Sequence, residues 1–177
     1  TEYSVEPKFD GLGISLSYED GVLKKAVTRG DGQTGEVVTE NVLSIKKIPT
    51  TLKHNPPKLL EIRGEIFFRL NDFQKLNKII KNSGGKAFVS PRNAAAGTMR
   101  NLDPEIVKDR PLDVFFYGVG GQSKDFSCKS QSEFIEFLRK NNLPVNDKVQ
   151  FAVASSIGNA VKAVLDSRND LDYEIDG

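Results

Sequence analysis

Apolar positions along the chain switch between two periods, and the switches mark the elements. In GLGISLSYEDGVLKKAVT, residues 11–28, Leu12, Ile14, Leu16 and Tyr18 recur at every second position, which places them on one face of a strand. Asp20-Gly21 supplies a tight turn, so the run predicts a hairpin. LLEIRGEIFFRL repeats the alternation, with Glu61, Arg63, Glu65 and Phe67 on one face and Ile62, Gly64, Ile66 and Phe68 on the other. The period then lengthens. Asn71 is expected to cap a helix carrying Phe73, Leu76 and Ile80 that stops at Ser83-Gly84-Gly85.

Ser90-Pro91 opens a short helix in SPRNAAAGTMRNLDP that closes before Pro104. PLDVFFYGVG reads as a buried strand ending in glycines. Ser130 and Glu133 form a capping box for a helix with Phe134, Phe137 and Leu138. A last helix near 156–168 carries Ile157, Val161, Val164 and Leu165. Residues 29–37 read as a glycine-rich loop, and 38–55 as irregular or partly extended. Strands joined by hairpins, without regular strand–helix alternation, point to an α+β fold with antiparallel sheet.

Composition acts mainly by exclusion. The chain has 177 residues, 38% hydrophobic and 28% charged, enough for one domain with a core. A net charge of +1 lacks the field of a free-standing nucleic-acid binder, so any such contact would run through a local patch. No apolar run reaches membrane-spanning length and TEYSVEPK lacks the zones of a signal peptide, so no membrane partner and a cytoplasmic location are expected. The single cysteine, Cys128, has no partner for an internal disulfide, and the lone His54 lies in the Pro-rich loop KHNPPK, without metal-ligand spacing around it.

The candidate chemistry starts at VEPKFDGLG. In an extended segment Glu6, Lys8 and Asp10 point to one side and Pro7 and Phe9 to the other. One reading is an exposed strand face with mutual ion pairs. The other is a nucleophilic lysine, and it meets an objection: flanking carboxylates stabilise the ammonium, whereas attack needs the neutral amine. A Mg²⁺ ion held by acidic groups and substrate phosphates reverses that local field. Lys8 and Asp10 also share parity with Leu12, Ile14 and Leu16, so a break at Gly11 or Gly13 is needed to keep the lysine out of the core. Arg29 at the root of TRGDGQTGE is placed to reach an anion. Arg63 and Glu65 stand on the polar face of a strand. Arg92 and Arg100 would project within about a quarter-turn of each other on a helix, flanking small residues that permit close packing. Tyr117 in FFYG is either core or a platform for a base.

Taken together, EPKFDG (6–11), TRGDGQTGE (28–36), EIRGEIF (61–67), SPRNAAAGTMRNLDP (90–104), FFYG (115–118) and YEIDG (173–177) resemble, in order and spacing, the adenylation domain of bacterial NAD-dependent DNA ligases. The Lys-x-Asp-Gly core is shared with ATP-dependent ligases and capping enzymes; the TRGDGxxGE and PRNxAAGTxRxLDP stretches single out the NAD-dependent branch. The resemblance implies the nucleotidyltransferase fold of DNA ligases and capping enzymes, with antiparallel sheets flanked by helices. It implies that Lys8 attacks the adenylyl phosphate of NAD⁺ to give a lysine–AMP intermediate. AMP then passes to the 5′-phosphate of a nick in double-stranded DNA, and the 3′-hydroxyl seals the strand in replication and repair.

By the same resemblance Glu6 contacts the adenine, Arg29 the ribose and phosphate, Glu65 the ribose or a metal-bound water, and Tyr117 stacks on the base. Asp10 and Gly11 shape the loop of the nucleophile. Arg92, Arg100, Arg168 and Asp176 match positions needed for sealing, the arginines on AMP or nick phosphates. NAD⁺ and Mg²⁺ are the expected cofactors and a monomer the expected state. Residues 1–177 are then an adenylation domain truncated at both ends. The helical module that binds nicotinamide mononucleotide, the end of the domain, and the OB-fold, zinc, helix-hairpin-helix and BRCT modules are absent, and the piece by itself is expected to be inactive. The rivals are an ATP-dependent nucleotidyltransferase of RNA-ligase or capping type, and a non-catalytic nucleotide-binding module.

Overall fold

A computed structural model describes residues 1–30 and 34–177. Its centre is a four-stranded antiparallel sheet in the order β3-β2-β4-β5, built from β2 (Leu12–Glu19), β3 (Val22–Thr28), β4 (Leu59–Phe68) and β5 (Leu112–Gln122). β2 and β3 are the predicted hairpin. Asp20 and Gly21 both take positive φ, 47° and 78°, the twist-matched turn that Asp-Gly favours.

Alternation along β4 sends side chains to opposite faces of the sheet. Ile62, Ile66 and Phe68 join Ile14, Leu16, Tyr18, Val114 and Phe116 in the main core. Helices α2 (Leu70–Asn82), α3 (Pro91–Met99) and α5 (Gln131–Lys140) carry Phe73, Ala94, Ala95, Met99, Phe134 and Leu138 into the same cluster. Phe67 points the other way and is buried, not part of a polar face as the alternation suggested. It belongs to a second cluster with Phe9, Val164, Leu171, Tyr173 and Ile175. The rings of Phe9, Phe67, Phe115 and Tyr173 lie with centroids 5.1–6.1 Å apart, and such pairs add about 0.5–1.5 kcal/mol each beyond their burial.

Several elements differ from expectation, most of them where tertiary contacts outweigh the local signal. Residues 38–55, read as irregular, contain the short helix α1 (Thr39–Leu43), whose Asn41 side chain donates to the carbonyls of Met99 and Asn101 at 2.8 Å each. The helix expected to start at a cap on Asn71 starts at Leu70 after Arg69, with no side-chain cap. The Leu70 N–H binds the Asp172 carbonyl, and Arg69 is clamped by Asp113 and Asp172. A further helix, α4 (Pro104–Lys108), follows Asp103, which caps it. β1 (Glu2–Val5) and β6 (Gln150–Val153) pair as a separate two-stranded sheet, and α6 (Ile157–Asp166) packs beside them. The middle of the glycine-rich loop read at 29–37 falls at 31–33, outside the described residues.

Candidate active-site cleft

The segment carrying Lys8 leaves the four-stranded sheet and pairs with residues far along the chain. The Lys8 N–H donates to the Gly177 carbonyl at 2.8 Å, Asp10 N–H to Glu174 at 3.0 Å, and Asp176 N–H to the Lys8 carbonyl at 3.0 Å. Phe9 and Ile175 bridge between them. The break that lets the chain do this falls at Gly11, directly before β2. A Cβ built on Gly11 would lie 2.3 Å from the Ile66 carbonyl oxygen, so only glycine fits where the segment crosses β4.

Phe9 is thereby pinned in the aromatic cluster and Lys8 faces outward into a cleft of about 680 Å³. Glu6, Lys8, Gly11, Gly13, Arg29, Glu65, Arg92, Arg100 and Tyr117 line it. Gly13 forms part of the floor: its missing side chain leaves room for the stem of Arg29, whose Cβ would be 3.2 Å from a Cβ there. Glu65 and Tyr117 project from neighbouring strands, with the Tyr117 hydroxyl 3.4 Å from Glu65 Oε2. α3, opened by Ser90 accepting from the Asn93 N–H and by Pro91, brings Arg92, Ala96 and Arg100 to the rim.

The ion pairs are not those read from the sequence. Glu6, Lys8 and Asp10 do not pair with one another. Lys8 Nζ donates to Asp176 Oδ1 at 2.6 Å, Arg92 to Asp10 at 3.0 Å, and Arg100 to Glu36 at 3.0 Å. The backbone pairing explains the exchange, since it brings Asp176 across to the lysine while Asp10 turns toward α3. The lysine beside it holds the Asp176 carboxyl below its ordinary value. Burial pushes the Glu65 carboxyl up, against the Gly11 N–H, the Tyr117 hydroxyl, Arg92 and Arg29, which favour its charged form. Burial likewise raises Glu6, with Ser4 and Gln131 donating to it in opposition.

Among the sequence candidates, Asp10, Arg168 and Asp176 do not line this cleft. They share a neighbouring hollow of about 430 Å³, and Asp176 reaches the cleft through Lys8. Some contributors were not singled out as site residues in the sequence. Thr28 and Ala96 line the wall, and Gln131, the first residue of α5, donates to the Tyr117 carbonyl at 2.7 Å and to Glu6 Oε1 at 3.3 Å. Gln131 carried no signal beyond its place beside the cap Ser130. Among the described residues no group of three or more His, Cys, Asp or Glu side chains is arranged to hold a metal ion, and no helix is long and apolar enough to cross a membrane.

An antiparallel α+β domain whose cleft sets a lysine amine among carboxylates and arginines, with one aromatic wall, is the class that fold and site define. The particular family follows from comparison with known proteins. The family model for the NAD-dependent DNA ligase adenylation domain matches residues 1–177, and the chain belongs to that family. The DNA ligase of Haloarcula marismortui is 45% identical over 179 aligned positions, covering 99% of this chain and 25% of the relative. That of Thermodesulfovibrio yellowstonii is 42% identical over 179 positions, covering 99% and 27%, and that of Haloferax volcanii 44% over 180 positions, covering 99% and 25%. The chain spans about a quarter of the length of these relatives.

Proposed function

We propose that the chain is the nucleotidyltransferase part of an NAD-dependent DNA ligase, and that Lys8 is its nucleophile. The observation that carries this reading is the convergence of Lys8 with Glu6, Arg29, Glu65 and Tyr117, from separate segments, in one cleft of a chain of this family. The lysine nitrogen attacks the adenylyl phosphorus of NAD⁺ in line with the pyrophosphate bridge. A P–N bond forms, the bridging P–O bond breaks, nicotinamide mononucleotide leaves with the electron pair, and the amine loses a proton. The AMP then moves to the 5′-phosphate of a nick in duplex DNA, and the 3′-hydroxyl displaces it.

Each step is a displacement at phosphorus, so positioning and charge supply most of the catalysis. Asp176 aims the lysine nitrogen through their 2.6 Å contact. Arg29 reaches from the root of its loop over Gly13 to ribose and phosphate. Arg92 and Arg100, on the exposed rim, take phosphate oxygens of AMP or of the nick, and Arg168 in the adjoining hollow acts during sealing. Tyr117 supplies the wall against which the base stacks, and Glu6 the edge contact to adenine. Mg²⁺ bound to the substrate phosphates would neutralise charge there. It keeps most of its waters and needs only one or two protein carboxylates, for which the oxygen donor of Glu65 is suited.

The test is the intact mass of the full-length protein after incubation with NAD⁺ or ATP and Mg²⁺, with Lys8→Ala alongside. An AMP-sized gain with NAD⁺ alone, absent in the variant, is expected. No gain in the wild type, or a gain that survives Lys8→Ala, overturns the assignment.

A further inference from the structure

Gln131 is placed to govern the base end of the cleft, although it does not line it. Both partners of its side-chain nitrogen are acceptors, a main-chain carbonyl on β5 and the Glu6 carboxylate. That fixes the orientation of the amide, because its oxygen would face repulsion from either. Ser130 accepts from the Glu133 N–H at 3.2 Å and so anchors the first turn of α5, which gives Gln131 a rigid base. One half-buried side chain thus ties three segments: the stretch after β1, strand β5 and helix α5.

The consequence is chemical. Glu6 takes donors from the protein side, the Gln131 amide at 3.3 Å and the Ser4 hydroxyl. Held in this way, its remaining lone pairs can only accept. A base meeting that carboxylate must offer an N–H. The exocyclic amino group of a 6-aminopurine offers one at position 6, whereas a 6-oxopurine puts a carbonyl oxygen there and keeps its edge N–H at N1, so a carboxylate set against position 6 meets a lone pair. Rejection of this kind is strong, because the wrong ligand leaves a desolvated charge facing a lone pair. The bond from Gln131 to the Tyr117 carbonyl places the same side chain behind the ring wall, so edge recognition and stacking are set from one point.

We propose that Gln131 is a positioning and specificity-determining residue: it holds Glu6 as an acceptor-only group, so that the cleft admits 6-aminopurine nucleotides and excludes 6-oxopurine ones. The inference rests on the reading of the cleft as an adenylyl site.

The experiment uses the full-length protein as wild type, Gln131→Met, which keeps the length and removes the donors, and Gln131→Asn, which withdraws them by one methylene. Adduct formation is measured with NAD⁺ and with nicotinamide hypoxanthine dinucleotide, and binding of AMP and IMP is measured by calorimetry. The wild type is expected to prefer the amino form. In Gln131→Met the KM for NAD⁺ should rise about tenfold with kcat little changed, and the preference should fall by about tenfold or more, the loss of one charge-assisted hydrogen bond. A merely structural role lowers both substrates together and leaves their ratio intact. An unchanged ratio in whichever variants melt like wild type overturns the proposal, as does equal binding of AMP and IMP by the wild type. Absence of any adduct in the wild type counts instead against the ligase reading, and the AMP and IMP comparison then still decides the role of Gln131.

Discussion

Gly11→Ala tests the link between the sheet and Lys8, the proposed nucleophile. The new methyl would sit 2.3 Å from the Ile66 carbonyl oxygen and 3.0 Å from Glu65 Cγ. An ordinary carbon–oxygen contact is about 3.3 Å, so the start of β2 must retreat from β4 by about 1 Å. Neither partner yields readily: the carbonyl belongs to the central strand of the sheet, and Ile66 is fully buried. Overpacking of this kind costs about 1–3 kcal/mol. Taking about 2 kcal/mol for a domain of this size, the melting temperature should fall by roughly 4–8 °C.

The displacement also carries Lys8, three residues upstream, and weakens the hydrogen bond from the Gly11 N–H to Glu65. A misplacement of about 1 Å costs on the order of 100-fold in rate. Thermal unfolding of the 177-residue chain reads the first effect, and single-turnover adduct formation in the full-length protein at a temperature where the variant is folded reads the second. An unchanged melting temperature would refute the steric argument. A destabilised variant that forms the adduct at the wild-type rate would refute the dependence of the nucleophile on this crossing.

Two further substitutions probe other parts of the structure. Gly158, in the first turn of α6, has open space for 4 Å around the position a methyl would take and no left-handed backbone, so Gly158→Ala should stabilise the chain by about 0.5 kcal/mol; a lower urea midpoint would contradict this. Glu65→Gln should abolish adduct formation yet raise the urea midpoint at pH 7. Burial raises the carboxyl of Glu65 in the folded chain, so its contribution to stability is present below its unfolded value and lost as pH rises through the folded one. The gain of the neutral variant should therefore close as the pH is lowered to about 4, near the unfolded value, and a variant less stable than wild type at pH 7 would reverse the sign of the argument.

The strands β2 to β5 and the helices α2, α3 and α5 were legible because they combine apolar positions at a clear period with turn or cap residues at one end or both, α2 at its C-terminal end only. Ser90-Pro91, Ser130 and Asp20-Gly21 act locally, so the sequence around them suffices. β1 and β6 are four residues each, with exposed Tyr3, Phe151 and Val153, and short half-exposed runs have no distinctive period. Asp103-Pro104 did carry a helix-start signal, which the reading of Pro104 as a stop passed over. In the cleft, the residue types at Glu6, Lys8, Arg29 and Glu65 were readable, and so was the need for a break near Gly11. Their partners were not. Asp176 lies 168 positions from Lys8, Arg92 lies 82 from Asp10, and Gln131 lies 125 from Glu6. Pairings over such separations depend on how the sheet and the second cluster bring distant segments together, which no local pattern encodes.

The stitching of residues 8–10 to 174–177 also sets an order of events during synthesis. The hairpin of β2 and β3 and its pairing with β4 and β5 need nothing beyond residue 122, so the main sheet has its partners well before the segment that completes the cleft leaves the ribosome. At about 5–20 residues per second the remaining stretch takes several seconds. Throughout that interval the lysine-bearing strand has no neighbour for its backbone, Phe9 lacks Tyr173 and Ile175, and the amine is not aimed. The cleft around Lys8 is therefore completed only after the strands of the main sheet are all present, and a nascent chain interrupted before residue 171 carries the lysine without its backbone partners.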